Sequence, residues 1–172
     1  AGQYAQIPSN DVIKLPEGPA FSQLASQTTP WPKDKPKERI GSNRTPEGWQ
    51  FRGYRLDKER NPTFLYNIKS INVEETPSTA FLQETALLKR AFSLKTDTPV
   101  SSFYFLAADG QKIVEQDGVY LVDDRVRYKF TGSLSGKPFI REIEGKQQLL
   151  LPIDFTQKNN QHVADFSVEM NW

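Results

Sequence analysis

The sequence contains no cysteine and only one histidine, His162, among its 172 residues. The lack of cysteine excludes disulfides, thiolate metal ligands, cysteine nucleophiles and covalent haem attachment through Cys-x-x-Cys-His. A catalytic triad or a histidine-rich metal site needs a histidine among suitable partners. His162 instead ends the polar stretch 157–162, Gln-Lys-Asn-Asn-Gln-His, which predicts a solvated hairpin loop.

The chain also lacks a strong charge of either sign, with Lys+Arg 22, Asp+Glu 21 and a net charge of +1. There is therefore no basic field to hold nucleic acid and no polybasic block to anchor a membrane surface. No apolar run approaches the roughly 20 residues of a membrane-spanning helix. No charged-then-apolar leader opens the sequence, and we expect residues 1 and 172 to bound a mature or excised domain.

Proline is abundant at one end only: residues 1–48 hold seven of the 12 prolines. Proline at this density blocks long helices and central strands. We expect this region to wrap around the main body or to link it to a preceding domain. Within it, residues 18–25 are predicted to form a short helix, with Pro19 in the first turn and Phe21 and Leu24 on one face.

From Trp49 onward apolar and polar residues alternate, so residues 49–172 are predicted to form the main domain. Short strands separated by Asp-Gly and proline turns indicate an all-β fold. The prediction is an antiparallel β-sandwich with a proline-rich N-terminal extension and at most one or two short helices. A second helix is predicted at residues 79–90, capped by Ser78, because the apolar residues there do not alternate cleanly.

Residues 103–108, Phe-Tyr-Phe-Leu-Ala-Ala, are apolar on both faces and predict a buried central strand. Asp109-Gly110 then predicts a hairpin turn into residues 111–115. Asp117-Gly118 is a second turn signal of the same kind.

Catalytic signatures are scarce. Paired carboxylates occur at residues 74–75, 123–124 and 142/144, but alternating charge around position 143 is typical of a solvated strand edge. Gly-Ser-Leu-Ser-Gly at 132–136 has the wrong serine order for a nucleophile elbow and precedes a proline rather than a helix. The sequence thus favours a protein that is not an enzyme and has no cofactor, although turn aspartates could hold Ca²⁺ through their oxygens: Asp109, Asp117, Asp123 and Asp124.

Aromatic residues are the strongest binding signal, at 12% of the chain. Aromatic rings stack on the apolar faces of sugars, while flanking charged groups bond the hydroxyls. Trp49, Tyr66 and Tyr104 are expected in the core. Trp31, in a Pro-Trp-Pro loop, and Tyr54, in a predicted strand, are the rings expected to reach a ligand.

Three segments resemble one known family: Leu-Pro-Glu-Gly-Pro-Ala at 15–20 with Trp31-Pro32, Phe-Arg-Gly-Tyr-Arg-Leu-Asp at 51–57, and Pro-Thr-Phe-Leu-Tyr at 62–66. Together they resemble a cysteine-free module of large exported bacterial proteins. Those proteins combine it with c-type cytochrome domains and a sorbosone- or glucose-dehydrogenase-like propeller. The resemblance spans residues 8–75, with a loosely similar β-rich remainder.

The resemblance implies a periplasmic or secreted accessory domain beside a redox machine that acts on sugars or polyols. It brings no known set of functional residues. This chain lacks the family's haem attachment motif and its propeller, so neither dehydrogenase nor electron-transfer activity carries over.

We therefore expect a non-catalytic binding module that binds carbohydrate or docks against neighbouring cytochrome or dehydrogenase domains, with no nucleic-acid partner. Two alternatives stay open: a carbohydrate-active hydrolase or lyase that uses a carboxylate or a tyrosine, and a structural spacer. In a purely structural interpretation, Gly53 permits close packing and Arg55 pairs with Asp57 along one strand face. The candidate ligand-binding residues are Trp31, Tyr54, Arg52, Arg55 and Asp57.

Overall fold

The computed structural model describes residues 13–33, 48–82, 85–132, 134 and 136–172. Thirteen β-strands and no helix occur in this part of the chain. The strands are β1 (Phe21–Gln23), β2 (Trp49–Leu56), β3 (Pro62–Ile68), β4 (Ile71–Leu82), β5 (Thr85–Thr96), β6 (Phe103–Gly110), β7 (Ile113–Gln116), β8 (Val119–Val122), β9 (Val126–Gly132), β10 (Phe139–Ile143), β11 (Lys146–Pro152), β12 (Thr156–Lys158) and β13 (Gln161–Asn171).

The strands form two sheets of very different width. The small sheet has four strands in the order β1-β6-β11-β10. The large sheet has nine, in the order β2-β3-β4-β5-β13-β9-β8-β7, with β12 paired to β13. Every strand pair in both sheets is antiparallel. The predicted all-β antiparallel sandwich is confirmed.

An aromatic cluster fills the space between the two sheets. Phe92 and Phe166 of the large sheet stack with ring centroids 4.9 Å apart. Phe21 from the small sheet meets Phe92 edge-on at 5.4 Å, and Phe105 lies 5.1 Å from Phe21. Burial of rings of this size contributes most of the stability of such a core. Residues 103–108 form the predicted buried strand, within β6.

Both helix predictions are wrong. Residues 18–25 contain β1, which pairs with β6, and Phe21 and Leu24 lie in separate clusters on opposite sides of the small sheet. Residues 79–90 lie in β4 and β5, where Thr79 pairs with Leu88. β5 also pairs with β13 over ten positions. Backbone ladders on both sides of β5 outweigh the weak local helical spacing.

Residues 13–33, a described part of the proline-rich region, cover the outer face of the small sheet. Leu24 and Trp31 pack there against Leu106 and Leu150. Arg141, only 8% exposed, donates from Nη1 to the backbone oxygens of Gln27 and Thr29 at 2.7 and 2.8 Å. Residues 13–33 therefore pack as part of the sandwich, to which they contribute β1.

The two Asp-Gly signals have different outcomes. Asp117 and Gly118 have φ of 52° and 78° and join β7 to β8 in a two-residue hairpin, as expected. Asp109-Gly110 does not form a hairpin, because β6 lies in the small sheet and β7 in the large one. Asp123 stabilises this crossover, since its Oδ1 accepts hydrogen bonds from the two backbone N–H groups after Gly110, each at 2.8 Å.

Candidate functional site

Residues 51–56 of the predicted motif lie in β2, at the edge of the large sheet, and Asp57 follows the strand. Phe51 pairs with Tyr66 of β3, whereas Gly53 pairs with Leu65, so Arg52 has no partner in the register. This is a β-bulge, and Gly53 adopts a φ of 112° within it. A Cβ on Gly53 would meet nothing within 4 Å, so its role is conformational, and the expectation that it permits close packing is wrong.

The bulge decides which side chains share a face. In a regular strand Phe51 would face the same way as Arg55 and opposite to Tyr54, because side chains alternate. The inserted residue reverses the alternation, so that Phe51, Tyr54 and Leu56 all face the side on which Tyr66 is buried. Arg55 consequently lies on the opposite side of the sheet from Tyr54.

Arg55 forms an ion pair with Glu74 of β4. Its Nη1 and Nη2 donate to the two carboxylate oxygens at 3.1 and 2.6 Å, which is a bidentate arrangement. The hydrogen bonds from Arg55, followed by its charge, hold the pKa of Glu74 below its usual range. The alternative pairing of Arg55 with Asp57 is therefore wrong, since register places Glu74 and not Asp57 beside the guanidinium.

Asp57 organises the turn between β2 and β3. Its carboxylate accepts hydrogen bonds from the backbone N–H and the side-chain Nδ2 of Asn61, at 2.7 and 3.0 Å. These bonds lower the pKa of Asp57. Arg52, the bulge residue, is exposed and its Nη1 donates to Gln50 at 3.4 Å. The side-chain hydrogen bonds of Arg52 and Asp57 thus go to Gln50 and Asn61 and not to Trp31, Tyr54 or Arg55.

Trp31 is far from the surface position expected of a stacking residue. Its side chain is 5% exposed, and the indole Nε1 donates to the backbone oxygen of Pro19 at 2.8 Å. The prolines on both sides do not hold the ring in solvent, because it packs on the outer face of the small sheet. Trp31 thus offers no free ring face to a ligand at the surface.

Tyr54 belongs to an apolar surface that we name the aromatic face: the exposed Phe51, Tyr54 and Leu56 with the half-buried Phe64. Phe51 and Tyr54 are 60% and 61% exposed and Leu56 is 47% exposed. The ring centroids of Tyr54 and Phe64 lie 6.5 Å apart. The residues face the side that is core elsewhere in the sheet, but the narrow small sheet does not cover them at this edge. Exposed aromatic groups of this density mark binding surfaces.

A pocket of about 310 Å³ lies next to the aromatic face, since its lining residues Tyr66 and Glu75 pair with Phe51 and Phe64. Phe64 pairs with Glu75 of β4, so Glu75 continues the row that Tyr54 begins. Arg90 of β5 donates from Nε to Glu75 Oε1 at 2.7 Å, and the Tyr66 hydroxyl donates to Glu75 Oε2 at 3.2 Å. We name this cavity the Arg90 pocket; its walls include Leu15, Pro16, Pro19, Trp49 and Leu106.

The electrostatics of the Arg90 pocket favour binding over proton transfer. Burial, reinforced by the negative charge of Glu75, raises the pKa of Tyr66 far above neutrality. Tyr66 therefore remains a hydrogen-bond donor and not a base at physiological pH. Glu75 is the only carboxylate among the pocket-lining residues that the structure describes, whereas glycoside hydrolysis commonly uses two.

The remaining chemical candidates do not assemble into a site. His162 lies on β13 opposite Gln157, next to the predicted hairpin turn. Among residues 13–33, 48–82, 85–132, 134 and 136–172, no three His, Asp or Glu side chains converge in a way that could hold a metal. The Gly-Ser-Leu-Ser-Gly segment lies partly outside the described residues. The described part also contains no helix long and apolar enough to cross a membrane.

Sequence reasoning missed Phe64 and Arg90, and it considered Glu75 only as one of the paired carboxylates at residues 74–75. Phe64 belongs to the segment at residues 62–66, but its partial exposure follows from the unequal widths of the two sheets. Glu75 and Arg90 lie 15 residues apart and meet only through the register of β4 with β5. No protein-family model, curated protein or solved structure matches this chain.

Proposed function

We propose that this domain is a non-catalytic binding module whose aromatic face binds carbohydrate. The observation that carries the proposal is the exposure of Phe51 and Tyr54, at 60% and 61%, on a sheet face that is otherwise core. Large aromatic rings exposed to water lower the solubility of a protein. An exposed patch of such rings therefore indicates a surface that a ligand or partner covers. A spacer domain would have no use for such a surface.

The arrangement of the aromatic face fits the chemistry of sugars. Tyr54 and Phe64 occupy neighbouring strands in the same register row, so their rings form one continuous apolar surface. Sugar rings present C–H groups on one face and hydroxyls around their rim. A platform of rings bordered by a hydrogen-bonding group such as Glu75 or Arg90 can satisfy both.

The resemblance to the cysteine-free module of large exported bacterial proteins suggests a biological setting. We propose that the module is periplasmic or secreted and is carried by a bacterial protein with cytochrome and dehydrogenase-type domains. The segment at 15–20 and the strings at 51–57 and 62–66 support this setting, and the absence of cysteine is compatible with it. In that setting the module would hold the larger protein near a polysaccharide.

Docking of a neighbouring domain is the second candidate function. It is favoured by a different observation: β2 is the outermost strand of the large sheet, with its outer backbone groups unpaired by any described strand. A neighbouring domain could add a strand there and cover the aromatic face at the same time.

Carbohydrate binding is tested by retention on insoluble polysaccharides and by titration with a panel of soluble oligosaccharides. Trp49 stacks on Tyr66 at 5.0 Å beside the aromatic face, so its fluorescence should report occupancy. Tyr54→Ala should weaken binding by about tenfold, which corresponds to the loss of roughly 1.4 kcal/mol. Phe51→Ala should weaken it similarly.

The matched control is Trp172→Ala, which removes an aromatic ring that is 36% exposed and lies at the end of β13, away from the aromatic face. It should bind as the wild type does. Absence of any fluorescence change or retention across the panel would overturn the carbohydrate proposal. Capture of an isolated cytochrome or dehydrogenase domain that depends on Phe51 and Tyr54 would then establish docking instead.

A further inference from the structure

We propose that the Arg90 pocket receives the carboxylate of an acidic sugar, so that the ligand of this module contains uronic acid. The inference rests on the proposed carbohydrate function and specifies its ligand class. It is carried by the geometry of Arg90, which is a nearly buried cation with donors that no described residue uses.

Arg90 points towards the core side of the large sheet. Its neighbours at alternate positions, including Phe92 and Leu94, are buried between the sheets. The guanidinium carbon lies 5.0 Å from the ring centroid of Phe92 and 5.8 Å from that of Phe105. The side chain is only 11% exposed, so it is fixed in position by its packing before any ligand arrives.

Only one edge of the guanidinium is occupied. Arg90 donates to Glu75 through Nε alone, and among the described residues Nη1 and Nη2 have no acceptor. No fully buried side-chain nitrogen or oxygen in this part of the chain lacks a partner. The two Nη atoms therefore retain accessible surface. We infer that this surface faces the pocket, because Arg90 is one of the lining residues.

Glu75 does not occupy the Nη atoms of Arg90, because its two oxygens accept hydrogen bonds from other donors. Oε1 accepts from Nε of Arg90 and Oε2 accepts from Tyr66. The floor of the pocket is thus an ion pair with no net charge, which presents the unused N–H groups of Nη1 and Nη2. A planar carboxylate matches a pair of parallel N–H groups better than a single hydroxyl does.

The surroundings strengthen this preference. Leu15, Pro16, Pro19 and Trp49 give the pocket mainly apolar walls, and a charged hydrogen bond is stronger where water is excluded. The volume of about 310 Å³ is of the order needed for one sugar ring. Glu75 continues the row of Tyr54 and Phe64, so a ring held in the pocket would leave the next ring of a chain on the aromatic face.

The decisive experiment changes the ligand and leaves the protein untouched. Trigalacturonate and its methyl ester have the same rings, but the ester carries no negative charge. We expect the wild-type protein to bind the free acid roughly tenfold or more tightly than the ester, by calorimetry or Trp49 fluorescence. Oligomers of glucuronate and mannuronate, with neutral cellotriose and maltotriose, complete the panel.

The possible results separate this inference from the function on which it rests. An acid that binds more tightly than its ester supports both. Neutral oligosaccharides that bind as well as every acidic one, or an ester that binds as well as the acid, overturn the uronate inference and keep the carbohydrate module. No binding to any member of the panel overturns both.

A protein variant tests the assignment to Arg90. Arg90→Lys keeps the positive charge but removes the paired donors, so it should reduce the preference for acid over ester to less than about threefold. The matched control is Arg55→Lys, which changes an exposed bidentate arginine on the other face of the same sheet and should leave the preference intact. Circular dichroism and melting curves establish that each variant is folded. If Arg90→Lys folds and keeps the full preference for acid over ester, the assignment to Arg90 is overturned. If Arg90→Lys does not fold, the comparison of acid and ester on the wild-type protein still decides the ligand class.

Discussion

Replacement of Trp31 by alanine tests whether this residue stabilises the fold or binds the ligand. Trp31 is 5% exposed and packs with Leu24, Leu106 and Leu150 on the outer face of the small sheet. Its Nε1 donates to the backbone oxygen of Pro19 at 2.8 Å. Both features would be lost in Trp31→Ala, whereas Trp31→Phe would lose the hydrogen bond and only part of the ring.

The size of the effect follows from burial. Removal of a buried tryptophan side chain costs about 3–5 kcal/mol in the free energy of unfolding. With a urea dependence of about 2 kcal/mol per molar, the unfolding midpoint of Trp31→Ala should fall by roughly 2 M. Trp31→Phe leaves the Pro19 oxygen without its donor, so it should lose about 1–2 kcal/mol and shift the midpoint by less than about 1 M.

Urea unfolding followed by circular dichroism measures these midpoints without relying on the tryptophan that is removed. Trp172→Ala, in which the lost ring is 36% exposed, should change stability by less than about 1 kcal/mol. The folded Trp31→Phe protein should bind oligosaccharides as the wild type does. An unchanged midpoint for Trp31→Ala combined with abolished binding would refute the interior, stabilising role of Trp31.

Four further substitutions test the backbone, an ion pair and a buried arginine. Gly53→Ala, at φ 112° with open space around the added Cβ, should cost about 1–2 kcal/mol of backbone strain. Gly132→Ala should cost more, because its Cβ would also lie 3.0 Å from the backbone of β13; equal urea midpoints would contradict this. Arg55 lowers the pKa of Glu74. The ionised Glu74 therefore stabilises the fold at pH values above the usual carboxyl pKa, and this stabilisation is lost as the pH falls through the lowered pKa. Glu74→Gln should thus destabilise by about 0.5 kcal/mol at neutral pH, and no loss there, or a loss that persists in acid, would refute the ion pair. Arg141→Met removes the donors to the backbone oxygens of Gln27 and Thr29, and it should lower the free energy of unfolding by about 2–4 kcal/mol, measured by a thermal melt. A loss of stability below about 0.5 kcal/mol would show that this loop does not need the Arg141 hydrogen bonds.

Much of the fold was predictable because strand burial imposes a period of two on the sequence. The apolar run at residues 103–108 is an example, and the strand lies where the pattern placed it, within β6. The two helix predictions failed for a common reason. Spacing within residues 79–90 is a local property, whereas the pairing of β5 with β13 joins segments that are far apart in the chain.

The candidate site was only partly predictable, because a single inserted residue reverses the side-chain alternation. The motif at 51–57 identified Tyr54 correctly as a ring on a strand, and the structure leaves it exposed. The bulge at Arg52 then moves Arg55 to the other face and brings Phe51 beside Tyr54. Glu75 and Arg90 carry no signal of their own, since only register brings them together.

The position of β13 has a consequence for biosynthesis. β13 lies between β5 and β9 and is the strand that joins the two halves of the large sheet. A growing chain that has not yet reached residues 161–171 can form the meander from β2 to β5 and the one from β7 to β9, but each would end in an open edge. Open strand edges are templates for aggregation. The large sheet can therefore close only after residues 161–171 have been synthesised, and until then a chaperone that covers exposed strand edges would protect the two unfinished halves.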